Sequence, residues 1–187
     1  MKHSLILLSL SLLLLFQNSC DNSTSSKQTI FKQCSTLGDE SIAYARANYV
    51  KLFNAINPEK FSSSYQKVKD FDNVSHRNII NTYDVAVRKL KKDPASTRLI
   101  QSCLSLAQFS KNFVDQTYPR AITFKEESKL DPLSDEFFLE INKIVKFDHT
   151  IGHYDKSFIS FKQRVEDYER IKEKYKATFK SDLELTD

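Results

Sequence analysis

The side chains best suited to chemistry in this chain fall in a few short stretches. Asp148-His149-Thr150-Ile151-Gly152-His153-Tyr154-Asp155 sets two imidazoles four residues apart between two carboxylates. Histidines at i and i+4 on one helical face can chelate a divalent cation. Gly152, however, falls between them at a helix break, and the same residues make a polar turn in which Asp148 or Asp155 caps the next helix. The polar turn is the expectation, with His149 and His153 facing water, and a metal-binding or enzymatic protein built on His149/His153 is the alternative. The chain carries no HExxH motif and no paired Cys-x-x-Cys, so no metal ligands and no cofactor are assigned. No serine stands out as a nucleophile, and His76 after Ser75 reads as first-turn surface. No catalytic residue is assigned, and the protein is expected not to be an enzyme.

Arg88, Lys89, Lys91 and Lys92 form the densest positive run. Cations in the last turn of a helix offset the negative end of its macrodipole by about 0.3–1 kcal/mol each. The same four are candidates for contact with an anionic lipid surface or an acidic partner. Elsewhere acids and bases are interspersed. The net charge is only +4, about +3 once Lys2 is removed with the leader, and this balance gives no reason to expect nucleic acid as a partner. Gly38 and Gly152 are the only glycines. A P-loop, a dinucleotide-binding Gly-rich turn and a Gly-flanked nucleophile elbow are therefore excluded, and an all-β fold, which needs turn residues at positive φ, is disfavoured.

The N-terminus carries a different kind of chemistry. Lys2 is followed by an unbroken apolar run from Leu5 to Phe16 and then Gln17-Asn18-Ser19-Cys20. A basic start, a short apolar core and a small residue at the cut make a secretory leader, too short for a permanent transmembrane helix. With cysteine at the junction, residues 1–19 resemble a bacterial lipoprotein signal peptide, in which Cys20 is acylated and becomes the new N-terminus. Ser19 matches that family's small residue; Gln17 and Asn18 depart from its tighter consensus. The other reading is an ordinary secretory signal, under which Asn22-Ser23-Thr24 and Asn73-Val74-Ser75 are glycosylation candidates if the source is eukaryotic. The lipoprotein resemblance implies export, a lipid anchor on a bacterial membrane, and a flexible polar tether over residues 20–30. With Cys20 lipidated, Cys34 and Cys103 remain as an even pair in an exported chain, and a disulfide follows. Closing that loop contributes about 4 kcal/mol. Two buried free thiols are the alternative. Cys34, Leu37, Arg46 and Tyr49, with a second cysteine later in a helical chain, are also similar to the uncharacterised YiiG-like helical lipoproteins, which implies fold and location only.

Positioning these groups falls to helices. Ile42, Ala45, Tyr49, Leu52, Phe53 and Ile56 recur at three and four from Asp39 until Asn57-Pro58, where Asn57 can cap a second helix with Pro58 at its first position. Ser75 is the expected cap of a third helix, carrying Ile79, Ile80, Tyr83, Val87 and Leu90. A fourth runs from Asp93-Pro94 to a stop at Tyr118-Pro119. Ala121 to Phe124 is expected to be briefly extended and Lys125 to Asp131 to connect. Ser134, or Asp131-Pro132, opens a fifth helix with Phe137, Phe138, Ile141, Ile144 and Val145. Phe158, Phe161, Val165, Tyr168, Ile171, Tyr175 and Phe179 give the last helix an aromatic seam. The expected fold is all-α, an up-and-down antiparallel bundle of about five to six helices, with one domain over residues 31–181 and an acidic tail over 182–187. The expected function is a membrane-anchored, non-catalytic binding module for another envelope or extracellular protein; an immunity or inhibitor-type lipoprotein is the runner-up. Calorimetric titration of the protein with zinc or nickel is expected to show no stoichiometric binding; binding abolished by His149→Ala would instead promote the metal reading.

Overall fold

A computed structural model describes residues 22–90, 94–145 and 161–183, with side chains from Lys27 onward. The leader, Cys20, Lys91, Lys92, the segment holding His149 and His153, and the last four residues lie outside the described residues. The elements are α1 (Asn22–Ile56), α2 (Pro58–Gln66), α3 (Asn73–Lys89), α4 (Pro94–Asn112), a π-helical turn (Phe113–Thr117), α5 (Tyr118–Glu127), α6 (Asp135–Val145) and α7 (Phe161–Thr178). Among the described residues the fold is all-α.

Helix α1 is the hub, packed against α2, α3, α4, α5 and α7. Cross-helix bonds fix the direction of each neighbour. Glu40 meets His76 at 2.6 Å and Asn48 meets Asn73 at 3.0 Å, so α3 runs antiparallel to α1. Ser110 Oγ donates to the Ser41 carbonyl at 2.7 Å, and Cys103 lies against Cys34, so α4 runs parallel to α1. Tyr168 reaches Asp39 and Ser35, while Tyr175 stacks on Phe31, so α7 is antiparallel to both. Helices α1, α3, α4 and α7 thus alternate in direction as an up-and-down bundle. Its main core gathers Ile30, Leu37, Ile80, Val87, Ile100 and Leu106 among others. Beyond the C-terminal half of α1, Phe53, Ile56, Phe113, Phe137 and Ile141 form a second core under α5 and α6.

Several local expectations hold for the reasons given. Asn57 Oδ1 accepts from the Lys60 N–H at 3.1 Å with Pro58 in the first turn, and Ser134 Oγ accepts from the Phe137 N–H at 3.2 Å to open α6. Others are corrected. Helix α1 begins at Asn22, so residues 22–30 are not a flexible tether: Ile30 is fully buried and Lys27 Nζ pairs with Asp182 at 2.6 Å. Tertiary burial of one face outweighs the weak helix propensity of a Ser- and Thr-rich stretch. Asp182 and Leu183 accordingly belong to the packed body and not to an acidic tail. Asp72, not Ser75, caps α3, its carboxylate accepting from the Val74 and Ser75 N–H groups at 3.0 Å. Tyr118-Pro119 does not stop the chain, and Ala121 to Phe124 is helical, with Ala121 buried. Pro119 has no N–H to give the fourth carbonyl back; the helix passes it by widening, the Tyr118 N–H bonding instead to Phe113 O, five residues back.

Gly38 sets how closely α7 approaches. A Cβ there would lie 2.2 Å from Tyr168 Cζ, inside the ring. The fully buried ring is held over this point, its hydroxyl 3.0 Å from Asp39 Oδ1 and 3.2 Å from the Ser35 carbonyl, and Lys172 Nζ also meets Asp39 at 2.8 Å. Helix propensity alone favours Ala over Gly by about 1 kcal/mol, whereas forcing a methyl into a packed contact costs about 1–3 kcal/mol. Gly38→Ala is therefore expected to lower stability in urea denaturation by about 1–2 kcal/mol, and to raise it once Tyr168→Leu has removed the ring. Stabilisation by Gly38→Ala with Tyr168 intact would show that the contact does not limit the approach.

Candidate functional site

Helices α4 and α7 meet through Ser96 with the Tyr175 hydroxyl at 3.1 Å and through Ser105 Oγ with Arg164 Nη1. Along their outer junction lie three cavities of about 340, 430 and 320 Å³. The first two share Ser105 and Arg164; the second and third share Arg98, Arg170 and Ile171. They read as one groove, lined by Arg98, Arg164, Arg170 and Lys174. Among its lining residues the carboxylate is Asp167, which Arg170 already takes at 2.8 Å.

Arg164 holds the position of greatest chemical tension. On α7 the residues Phe161, Tyr168 and Tyr175 are buried at intervals of seven, and Arg164, three after Phe161, stands in the same relation to the seam as Ile171 does to Tyr168. The Nη1 group donates to Ser105, the guanidinium carbon lies 5.8 Å from the centre of the Phe109 ring, and Nε is sealed from solvent with no hydrogen-bond partner. Burial pushes the pKa of this side chain below the usual guanidinium value, but arginine remains charged in proteins. The first cavity opens against it. Its other walls are Gln108, Phe109 and Asn112 of α4, Phe113, Gln116 and Thr117 of the π turn, and Ile144 and Val145 of α6. Sequence reading overlooked Arg164. The available signal was a lone cation at a seam position of an otherwise aromatic helix.

The residues singled out from sequence lie elsewhere. Arg88 and Lys89 end α3, both exposed, and Arg88 Nε donates to Asp84 at 2.9 Å. Asp84 is nearly buried and also takes Lys111 Nζ at 2.7 Å, which ties Arg88 into the bundle rather than leaving it as a simple surface cation. Cys34 and Cys103 are brought together from α1 and α4 and are fully buried. In this structure they are free thiols in contact, the placement that the expected disulfide requires. The Cys103 thiol lies against Cys34 and donates to the Ile100 carbonyl at 3.2 Å; the Cys34 contact, then burial, push its pKa far up. Such a thiol is inert as a nucleophile while the bundle stays closed. Asn73, in one sequon, exchanges side-chain amide bonds with Asn48 at 3.0 and 3.1 Å, so its amide nitrogen is engaged within the fold. Among the described residues no group of three His, Cys, Asp or Glu side chains is placed to hold a metal ion.

No known protein family, curated protein or solved structure matches the chain. The adjacency of the two thiols generates one expectation. In protein recovered from an oxidising compartment, non-reducing peptide mapping should find Cys34 joined to Cys103, and Cys103→Ser should lose several kcal/mol of stability only in that oxidised form. Complete alkylation of both cysteines in unfolded, unreduced protein would leave the pair as thiols.

Proposed function

We propose that this chain is an exported bacterial lipoprotein, anchored through an acylated Cys20, whose helical bundle is a non-catalytic module that binds another envelope or extracellular component. The observation that carries the reading is the leader itself: the apolar run from Leu5 to Phe16, closed by Ser19-Cys20 directly ahead of the bundle. No described helix is long and apolar enough to cross a membrane. Attachment through lipid has no such requirement, because each buried methylene contributes about 0.8 kcal/mol and two or more acyl chains hold stably.

The start of α1 sharpens this reading. Only Asp21 separates Cys20 from helix α1, so an anchor on Cys20 holds the N-terminal end of α1 near the bilayer. Tyr175 stacks on Phe31 near that end, at 6.2 Å, and Arg98, Arg170 and Lys174 line the same stretch of the groove as Tyr175. These three, together with Arg88 and Lys89, are the cations on which an anionic headgroup would act, by about 1 kcal/mol each. Residues that recognise a partner are assigned to the α4–α7 groove, where, among the described residues, Arg98, Arg164, Arg170 and Lys174 share the lining with the single carboxylate of Asp167, already taken by Arg170.

Cys20→Ala is expected to move the protein from the detergent phase to the aqueous phase and to remove the acyl mass from the mature chain. Intact mass spectrometry decides the point: a mature chain beginning elsewhere, or one beginning at Cys20 without added acyl mass, would overturn the lipoprotein reading.

A further inference from the structure

We propose that the cavity against Arg164 is a binding site for a small organic anion, a carboxylate or phosphate monoester with an apolar body. The inference deepens the binding-module reading by naming a ligand class, and it is independent of the anchor at Cys20.

A cation drawn into a protein interior normally finds a carboxylate, because an uncompensated charge is costly to desolvate. The bundle follows that rule at Asp84, which is paired with both Arg88 and Lys111. Along α7, Lys172 is paired with Asp39 and Glu169, Arg170 with Asp167, and Lys162 with Glu166. Arg164, half-buried with its Nε sealed, departs from this pattern: among the described residues its hydrogen bond goes to the neutral hydroxyl of Ser105 and no carboxylate pairs with it. With Nη1 engaged there, the edge formed by Nε and Nη2 is left. This edge takes a planar oxyanion through two parallel hydrogen bonds. Nε is sealed from solvent in this arrangement, so binding through both donors requires the guanidinium to turn that edge toward the cavity.

The remaining walls divide by chemistry. Asn112 Oδ1 already accepts from Gln108 at 2.7 Å, which leaves the Asn112 amide N–H₂ as the group that can donate to an anion. Gln116 and Thr117 add donors from the π turn, a distortion that recurs at functional sites. Opposite them, Phe113, Ile144 and Val145 offer an apolar wall. A volume of about 340 Å³ falls at the small end of ligand sites, roughly 300–1,000 Å³. It fits a single ring or short acyl chain bearing one anionic group better than a nucleotide.

The test is calorimetry on the full-length protein in neutral detergent, with benzoate, phenyl phosphate, inorganic phosphate and benzyl alcohol as probes, alongside the arginine Nε–H region of its ¹H–¹⁵N spectrum. The expected result is saturable binding of benzoate or phenyl phosphate at one site, at least tenfold tighter than benzyl alcohol, with a shift of the Arg164 Nε–H resonance. Arg164→Gln should lose that binding at least tenfold; Arg164→Lys, which keeps charge but not the two-donor edge, should also weaken it. The resonance shift is read on the unmutated chain, so the proposal stands or falls even if a variant folds poorly. Absence of saturation at about 10 mM, equal binding of benzyl alcohol, or binding of inorganic phosphate as tight as that of the organic anions would each overturn it. So would binding seen only to phosphatidylglycerol vesicles, which would assign the cation to lipid headgroups. Cys20→Ala should bind the anions unchanged, so loss of the anchor and loss of this site are separately visible.

Discussion

The close parallel contact between α1 and α4 is the constraint on which the rest of the structure depends. A serine hydroxyl on α4, on a stem of one carbon, reaches the backbone carbonyl of Ser41 on α1 at 2.7 Å. That reach requires an axis separation at the close end of the roughly 8–10 Å range for packed helices. Small buried side chains make it attainable: Cys34, Ser41 and Ala45 on α1, and Cys103, Ala107 and Ser110 on α4, are all fully buried. With these two helices fixed side by side, α3 and α7 fill the flanks in the opposite direction. Gly38 extends the same logic to α7, the missing Cβ giving room for the Tyr168 ring. Overpacking anywhere on this seam moves two helices at once.

Polar groups inside the bundle are settled unevenly, and the unevenness carries the functional argument. Asp84 has two cations, Asn48 and Asn73 satisfy each other, and the carbonyl of Ala55 near the end of α1 receives Lys125 Nζ at 2.6 Å. Each of these offsets a desolvation cost with a matched partner. Among the described residues Arg164 has only the neutral hydroxyl of Ser105 for its charge, beside a cavity and a π turn. Pro119 explains the turn: a missing N–H forces the wider helical path, and the wider path places Phe113, Gln116 and Thr117 around the cavity. A backbone irregularity required by one residue type thus shapes the wall of the candidate site.

Much of the secondary structure could be read from residues acting on their own neighbours. Asn57 and Ser134 act through oxygens within three residues of the N–H groups they cap, and the aromatic seam of α7 is visible as spacing. Where local preferences were weak or competing, the reading failed. Residues 22–30 carry no strong helix signal, and Ile30 is helical because it is buried by the bundle. Asp72 and Ser75 are both acceptable caps, and the choice between them falls with the Asn48–Asn73 pair, which fixes where α3 begins. Pro119 is a reasonable helix stop unless the chain has a buried position such as Ala121 to fill on its far side.

By itself the sequence determined the all-α class, the alternating helices, the exclusion of glycine-dependent phosphate motifs and the resemblance of residues 1–20 to a lipoprotein leader, because each of these depends on residue type and short-range spacing. Tertiary structure decided what no local pattern encodes: that α1 and α4 run parallel in contact, that Cys34 and Cys103 meet, that Asp84 gathers Arg88 and Lys111, and that Arg164 meets no carboxylate among the described residues. The physical reason is that pairing and desolvation are properties of three-dimensional neighbourhoods. An arginine in an exposed helix and an arginine at the edge of a cavity look alike along the chain. Only the approach of α4 against α7 removes water from one edge of Arg164 and leaves its charge without a carboxylate among the described residues.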